Sequence, residues 1–258
     1  MPDAVRLIVG TLTRIPVPPP SRVDARVAGQ AMVLAPVVAV VLAVVVGGVA
    51  QALASLLPGS ASPLLVSALV VAALAYLTRG LHLDGLADTA DALGSGRPAP
   101  QALEIARRSD IGPFGVVTIA LVVLVQVAAY SGVVADGRAA VGLAIALGTS
   151  RLALVLGCTR GVPAARSDGL GATVAGTVPR PVAALAVLLW LAACGVAGAL
   201  VEPTHSVAAL AAATVGLGTA VVVLHTGVRR LGGITGDVLG ATVELTCAAT
   251  LVILALAP

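Results

Sequence analysis

Three carboxylates in the stretch Leu81-His82-Leu83-Asp84-Gly85-Leu86-Ala87-Asp88-Thr89-Ala90-Asp91-Ala92-Leu93 carry the clearest chemical signal in the sequence. Asp84, Asp88 and Asp91 stand at i, i+4 and i+7, so on a helix they project from one face. Stacked like charges destabilise a helix, and no Lys or Arg lies within the stretch to offset them. A divalent cation would do so. Carboxylate oxygens suit Mg²⁺, with Mn²⁺ as an alternative, and such ions are usually held by a few carboxylates together with substrate phosphates. The competing reading is a solvated acidic helix face, against which Gly85, Ala87 and Ala90 leave room for a ligand. His82 is either a hydrogen-bonded boundary residue or a base.

The second constellation runs from Arg229 and Arg230 through Leu231-Gly232-Gly233-Ile234-Thr235-Gly236-Asp237 to Glu244. Glycines leading into a helix present free backbone N–H groups and a positive dipole end, which favours phosphate, and two arginines add bidentate donors. Gly232, Gly233, Arg229 and Arg230 are therefore candidate phosphate holders, with a Gly-rich turn and helix cap as the alternative. Asp237 and Glu244 are seven apart and share a face. Glu244 would lie inside an apolar run, where an ionisable group is a functional candidate. Arg151 also lies within an apolar run and either snorkels or faces inward to meet one of the acids. The segment 165–171, with Arg166 and Asp168, is a polar glycine-containing loop. The segment 103–115 is either a gating loop or a polar link.

These residues are positioned by apolar elements. Of 258 residues, 59% are hydrophobic and 10% charged, too few charges to cover a soluble globule, so the surrounding solvent is lipid. Continuous apolar runs of helix length, rich in small residues, indicate an all-α polytopic bundle and exclude a membrane barrel, which needs short alternating segments. Seven spans are expected, near Met32 to Leu57, Pro63 to Leu81, Phe114 to Val134, Ala139 to Leu156, Pro181 to Leu200, Val207 to Leu224 and Val238 to Leu256. The chain reads as one integral membrane domain over 1–258, whose loops 78–113, 157–180 and 225–237 form the site face.

All fifteen cations are Arg, and apart from Arg138 and the intramembrane Arg151 they fall on one side of these spans. The positive-inside rule makes that side cytoplasmic, with the N-terminus inside, in a plasma membrane. The absence of Lys and Asn suggests a high-GC bacterium. Ten of the twelve acids share the same side, the exceptions being Asp136 and Glu202. A transporter would rather place polar groups near the midplane of repeated halves, so a one-sided catalytic face is the better reading. No basic tail or block stands behind the net charge of +3, so nucleic acid is not an expected partner. Cys158, Cys194 and Cys247 lack metal-ligand spacing and are expected to pack. The region Met1 to Gln30 does not resemble a cleaved leader.

At its motifs the sequence resembles the cobalamin synthase family, membrane enzymes that join adenosylcobinamide-GDP to α-ribazole late in vitamin B12 assembly. The resemblance rests on 82–91, on Ser109 to Gly115, on Arg166 to Gly171, on 232–241 and on the opening Thr13-Arg14-Ile15-Pro16-Val17-Pro18. One departure is Arg108-Ser109-Asp110, where the family pattern reads Asp-Ser-Arg, so Arg108 and Asp110 receive no roles. The resemblance implies a Mg²⁺-dependent transfer in which a hydroxyl of α-ribazole, or of its 5′-phosphate, attacks the cobinamide-linked phosphorus and releases GMP. On it, Asp84, Asp88 and Asp91 are expected metal ligands, and Asp84, Asp88, Asp237 and His82 the catalytic set. Arg229, Arg230, Gly232, Gly233, Arg166 and Arg151 are expected to bind substrate. Self-association or association with other corrinoid-assembly enzymes is the expected partnership beyond the bilayer. A CDP-alcohol phosphotransferase would place Ala-Arg where Ala87-Asp88 stands, and it remains the rival enzyme class, with a secondary transporter as the rival outside it.

Overall fold

The computed structural model describes residues 1–56, 62–108 and 110–257. Leu57, at the end of the first expected span, and Ser109 lie outside them. The described residues form helices throughout, joined by turns and two isolated parallel bridges, Thr159 with Val178 and Ala164 with Ile234. Six helices are long and apolar enough to cross a membrane: α2 (Ala25–Leu56), α6 (Pro113–Ala135), α7 (Ala139–Gly157), α9 (Arg180–Val201), α10 (His205–Leu231) and α11 (Gly236–Leu256). α1 (Asp3–Leu12) is an amphipathic helix whose Ala4, Ile8 and Leu12 are buried, and it packs on α2. α5 (Ala99–Ile105) and α8 (Gly169–Val174) are short and sit in the loops of the site face.

The expected second span is divided. α3 (Pro63–Leu77) has 15 residues, about 22 Å at 1.5 Å per residue and short of a ~30 Å hydrocarbon core. The chain then bends by 89° into α4 (Leu81–Gly94). The bend has a local cause: Arg79 and Gly80 are successive left-handed residues, at φ 59° and 67°, a pairing that no helix continues through. The acidic motif thus forms a helix of its own after the bend, and the described residues give six spans, or the expected seven if the bent pair counts as one. α4 crosses one end of the bundle, against the first turns of α11 and the start of α6.

Small residues set the core. α2 buries Ala31, Ala35, Ala39, Ala43 and Gly47, one every four residues, along the face that meets α7. A Cβ on Gly47 would stand 3.0 Å from the Ala140 Cα, so the two backbones approach as closely as glycine permits. α7 is buried along nearly its whole length, from Ala139 to Gly157. At the end away from α4, Arg138 is buried; it pairs with Asp136 at 2.6 Å and donates to the carbonyls of Leu254 and Ala257 at the C-terminus of α11. That explains the cation in the loop opposite the positive cluster as a helix cap. The three cysteines are buried and free, in agreement with the packing expectation.

Candidate active site

A cavity of about 260 Å³ opens at the α4 end of the bundle, bounded by Leu81, His82 and Asp84 of α4, the loop 166–171 and residues 234–240 at the start of α11. Leu12, Met32 and Leu154 supply its apolar wall, and Thr11 also lines it. Three close approaches build it. A Cβ on Gly85 would stand 2.8 Å from the Asp237 Cα and 2.9 Å from the Asp237 carbonyl oxygen, and one on Gly240 3.1 Å from the His82 carbonyl oxygen. A Cβ on Gly171 would stand 2.7 Å from the Thr235 Cα. Glycine at these positions lets α4 and α8 lie directly on the α11 N-terminus.

Asp237 is in the first turn of α11, where Thr235 is the N-cap: its Oγ1 accepts from the Val238 N–H at 3.1 Å and donates to Asp237 Oδ2 at 3.1 Å. Arg166 reaches the same Oδ2 at 4.0 Å and donates to the Leu103 carbonyl at 2.6 Å. Arg107 grips both oxygens of Asp168, at 2.6 and 2.7 Å, so the 166–168 loop is held by the α5 segment at two points. Its other side is zipped to the α11 approach, with Ala165 N–H to Ile234 O and Ile234 N–H to Pro163 O, both at 2.9 Å.

Asp84 is exposed at the cavity mouth, and Asp88 is half-buried one turn further along α4. Burial, then the negative charges of Asp84, Asp237 and Asp91, push the Asp88 carboxyl up to about 7, against the pull of Arg166. Carboxylates therefore outnumber cations here, the condition that a divalent cation relieves. Among the described residues no three His, Cys, Asp or Glu side chains converge into a finished metal cage. Mg²⁺ does not require one, since it ordinarily takes one or two carboxylates with substrate phosphates and water. Asp84 and Asp237, which both line the cavity, supply two such all-oxygen donors, and Asp88 stands one turn along α4 from the first.

Asp91 is placed otherwise than expected. It is buried, and its carboxylate accepts from the Gly112 N–H at 2.7 Å and the Gly115 N–H at 2.9 Å. Gly112 caps α6 without a side chain of its own and Pro113 follows, so the start of α6 borrows an acceptor from α4. Both oxygens are thus engaged by the start of α6.

The second constellation divides in the same way. Gly232, at φ 84°, is the left-handed C-cap of α10, and Gly233 packs on backbone 163–165, where a Cβ would meet the Pro163 carbonyl oxygen at 2.5 Å. Arg229 and Arg230 are exposed in the last turn of α10 and do not line the cavity. The cation at the cavity is Arg166, and the backbone donors are those at the α11 start, Gly236 and its neighbours. Arg151 faces the bundle rather than snorkelling: it is 6% exposed and donates to Ser150 Oγ at 2.8 Å. It shares a separate cavity of about 40 Å³ with Glu244, which takes Gln126 Nε2 at 2.8 Å, so neither touches the site directly. His82 is buried beside the cavity, and burial together with the Arg151 charge pushes its imidazole well below the ordinary range. It is not a hydrogen-bonded boundary residue, since it is buried and neither ring nitrogen has a hydrogen-bond partner among the described residues, whereas a neutral ring is the form that a base requires. Sequence reading missed the Asp91 cap and the Arg107–Asp168 clamp; the side-chain-free Gly-Pro start of α6 was the available signal for the first.

A family model described as cobalamin-5-phosphate synthase matches residues 4–255. The chain is similar to an adenosylcobinamide-GDP ribazoletransferase of Frankia casuarinae, 44% identical over 95% of this chain and 91% of that protein. Another of that name, from a Nocardioides species, is 45% identical over 97% of each chain. A third, from Stutzerimonas stutzeri, is 38% identical over 95% of this chain and 94% of that protein. No solved structure matches the chain.

Proposed function

The chain belongs to the cobalamin-5-phosphate synthase family, and from that premise we propose that it transfers the adenosylcobinamide phosphate moiety of adenosylcobinamide-GDP to α-ribazole or its 5′-phosphate. The acceptor hydroxyl oxygen forms a bond to the cobinamide-linked phosphorus, the phosphoanhydride bond breaks, and GMP leaves. The observation that carries this reading is the meeting of Asp84, Asp237 and Arg166 in one cavity at the N-terminus of α11. Phosphoryl transfer needs mainly positioning and charge neutralisation, and these groups offer both.

Arg166 binds a phosphate oxygen of the anhydride, assisted by the backbone N–H groups and dipole at the α11 start. Its hydrogen bond to the Leu103 carbonyl fixes the guanidinium in place. Asp84 and Asp237, across the α4–α11 crossing, with Asp88 beside them, would hold Mg²⁺, which would supply neutralisation of the charge that builds on the departing GMP. Asp237 alternatively takes the hydroxyl proton, and Thr235 and Arg166 orient it for either role. The cavity, at about 260 Å³, is at the small end for organic ligands, which usually occupy about 300–1,000 Å³. It suits the anhydride and acceptor hydroxyl, with the corrin ring left outside. Arg placement supports a cytoplasmic site face in a plasma membrane and a cytoplasmic N-terminus.

The test is to supply the purified protein, in detergent or proteoliposomes, with adenosylcobinamide-GDP and α-ribazole and to follow GMP. Stoichiometric GMP and cobalamin are expected, and well-folded protein that yields neither would remove the proposal.

A further inference from the structure

On the flank of the site end, α1, the first turns of α2, the 176–179 loop and the start of α9 enclose a second cavity, of about 710 Å³. It is lined mostly by apolar groups, among them Val5, Val33, Leu34 and Val182, together with Arg26 and Arg160. Both arginines are exposed, and among the described residues neither has a carboxylate within 4.0 Å. The acids nearest to them in sequence are engaged elsewhere, Asp24 by Arg22 at 3.6 Å and by the Val27 N–H, and Asp168 by Arg107 at 2.6 Å, while Asp3 of α1 is taken by Arg6 at 3.8 Å and the Ser21 N–H.

The polarity of this cavity changes along its length. Arg26 and Val33 are seven residues apart on α2, about 10 Å along the axis. α2 has 32 residues, about 48 Å, so it outruns a ~30 Å hydrocarbon core and keeps its first turns at the headgroup level. Cations without partners thus stand at the headgroup end and aliphatic side chains at the acyl end, bounded by an amphipathic helix of the kind that lies in the interface. We propose that this groove is a binding site for one anionic phospholipid, its phosphate between Arg26 and Arg160 and an acyl chain along Val33, Leu34 and Val182. The site is separate from the reaction cavity and stands whether or not the transfer reaction assigned above is correct.

Native mass spectrometry of the detergent-purified full chain, titrated with phosphatidylglycerol or phosphatidylcholine of identical acyl chains, tests this. One phosphatidylglycerol is expected to be retained in preference to phosphatidylcholine, and Arg26→Gln/Arg160→Gln is expected to reduce that preference on the order of tenfold, as two interfacial cations should. Arg97→Gln, an exposed cation outside the groove, keeps it. Equal retention of the two lipids, an unchanged preference in the double variant, or an equal loss in Arg97→Gln would overturn the proposal. So would inorganic phosphate displacing the lipid at equal concentration, since that would leave the aliphatic wall without a role. Thermal unfolding of the double variant without added lipid, within a few degrees of the parent, separates lost binding from lost folding.

Discussion

Gly85 of α4 lies directly on Asp237 of α11, so closely that a Cβ on Gly85 would stand 2.8 Å from the Asp237 Cα. This crossing brings two acidic motifs, more than 150 residues apart in the chain, to one cavity. Gly85→Ala must push α4 off the α11 N-terminus because the atoms it meets are backbone. A fall in kcat/KM of at least about tenfold is expected, equivalent to ~1.4 kcal/mol of lost transition-state stabilisation. Steady-state GMP release checks it, and an unchanged rate would mean that the crossing does not set the site's geometry.

Asp91 accepts from two backbone N–H groups at the start of α6, and on the proposed reading it is not a metal ligand. Asp91→Ala removes the acceptor of two backbone N–H groups, so a loss of about 1–3 kcal/mol in stability is expected. The Mg²⁺ concentration for half-maximal activity should stay within about twofold of the parent, measured beside thermal unfolding. A large rise in that concentration with unchanged stability would return Asp91 to the ligand set.

The Asp88 carboxyl, at about 7 in the folded protein against an ordinary 3.8, is raised by burial and by its acidic neighbours. In that window the folded state binds a proton that the unfolded chain does not, so this contribution to stability is full below about pH 4 and is lost as pH rises through 7. In EDTA the Tm of the purified protein should therefore fall between pH 5.5 and 8, and Asp88→Asn should flatten that part of the slope. An identical slope in the variant would show that Asp88 is not under this strain.

Arg166 lines the cavity and Arg229 does not. Arg166→Ala should lower kcat/KM on the order of a hundredfold, as loss of a charged phosphate contact at a reacting centre does. Arg229→Ala should change it by less than about threefold. The same assay decides both, and the reverse ranking would restore the α10 arginines as phosphate binders.

The contrast between Arg166 and Arg229 shows what was legible in the sequence. Lipid-facing runs and small-residue composition mark the bundle, because hydrophobic length and helix packing are local properties of the chain. The acids were legible as a one-sided cluster, and Asp84 and Asp237 do meet in one cavity. Which acid faces a ligand was not legible, because Asp91 is diverted by a helix start some twenty residues later, a tertiary contact without a spacing rule. Gly232 and Gly233 looked like a phosphate loop since glycine marks both close ligand approach and close backbone approach. Here they serve a helix cap and the contact with 163–165. The break at Arg79 and Gly80 was hidden in the same manner, as an apolar run does not reveal two left-handed residues at its end.

The most direct measurement is GMP release from adenosylcobinamide-GDP and α-ribazole, titrated with Mg²⁺ after EDTA treatment, for the parent chain and for Asp84→Ala. No GMP is expected without the cation, with saturable recovery in the parent and at least about a hundredfold less in Asp84→Ala at an unchanged Tm. Full GMP release in EDTA, or a variant as active as the parent, would contradict the proposed metal-dependent transfer.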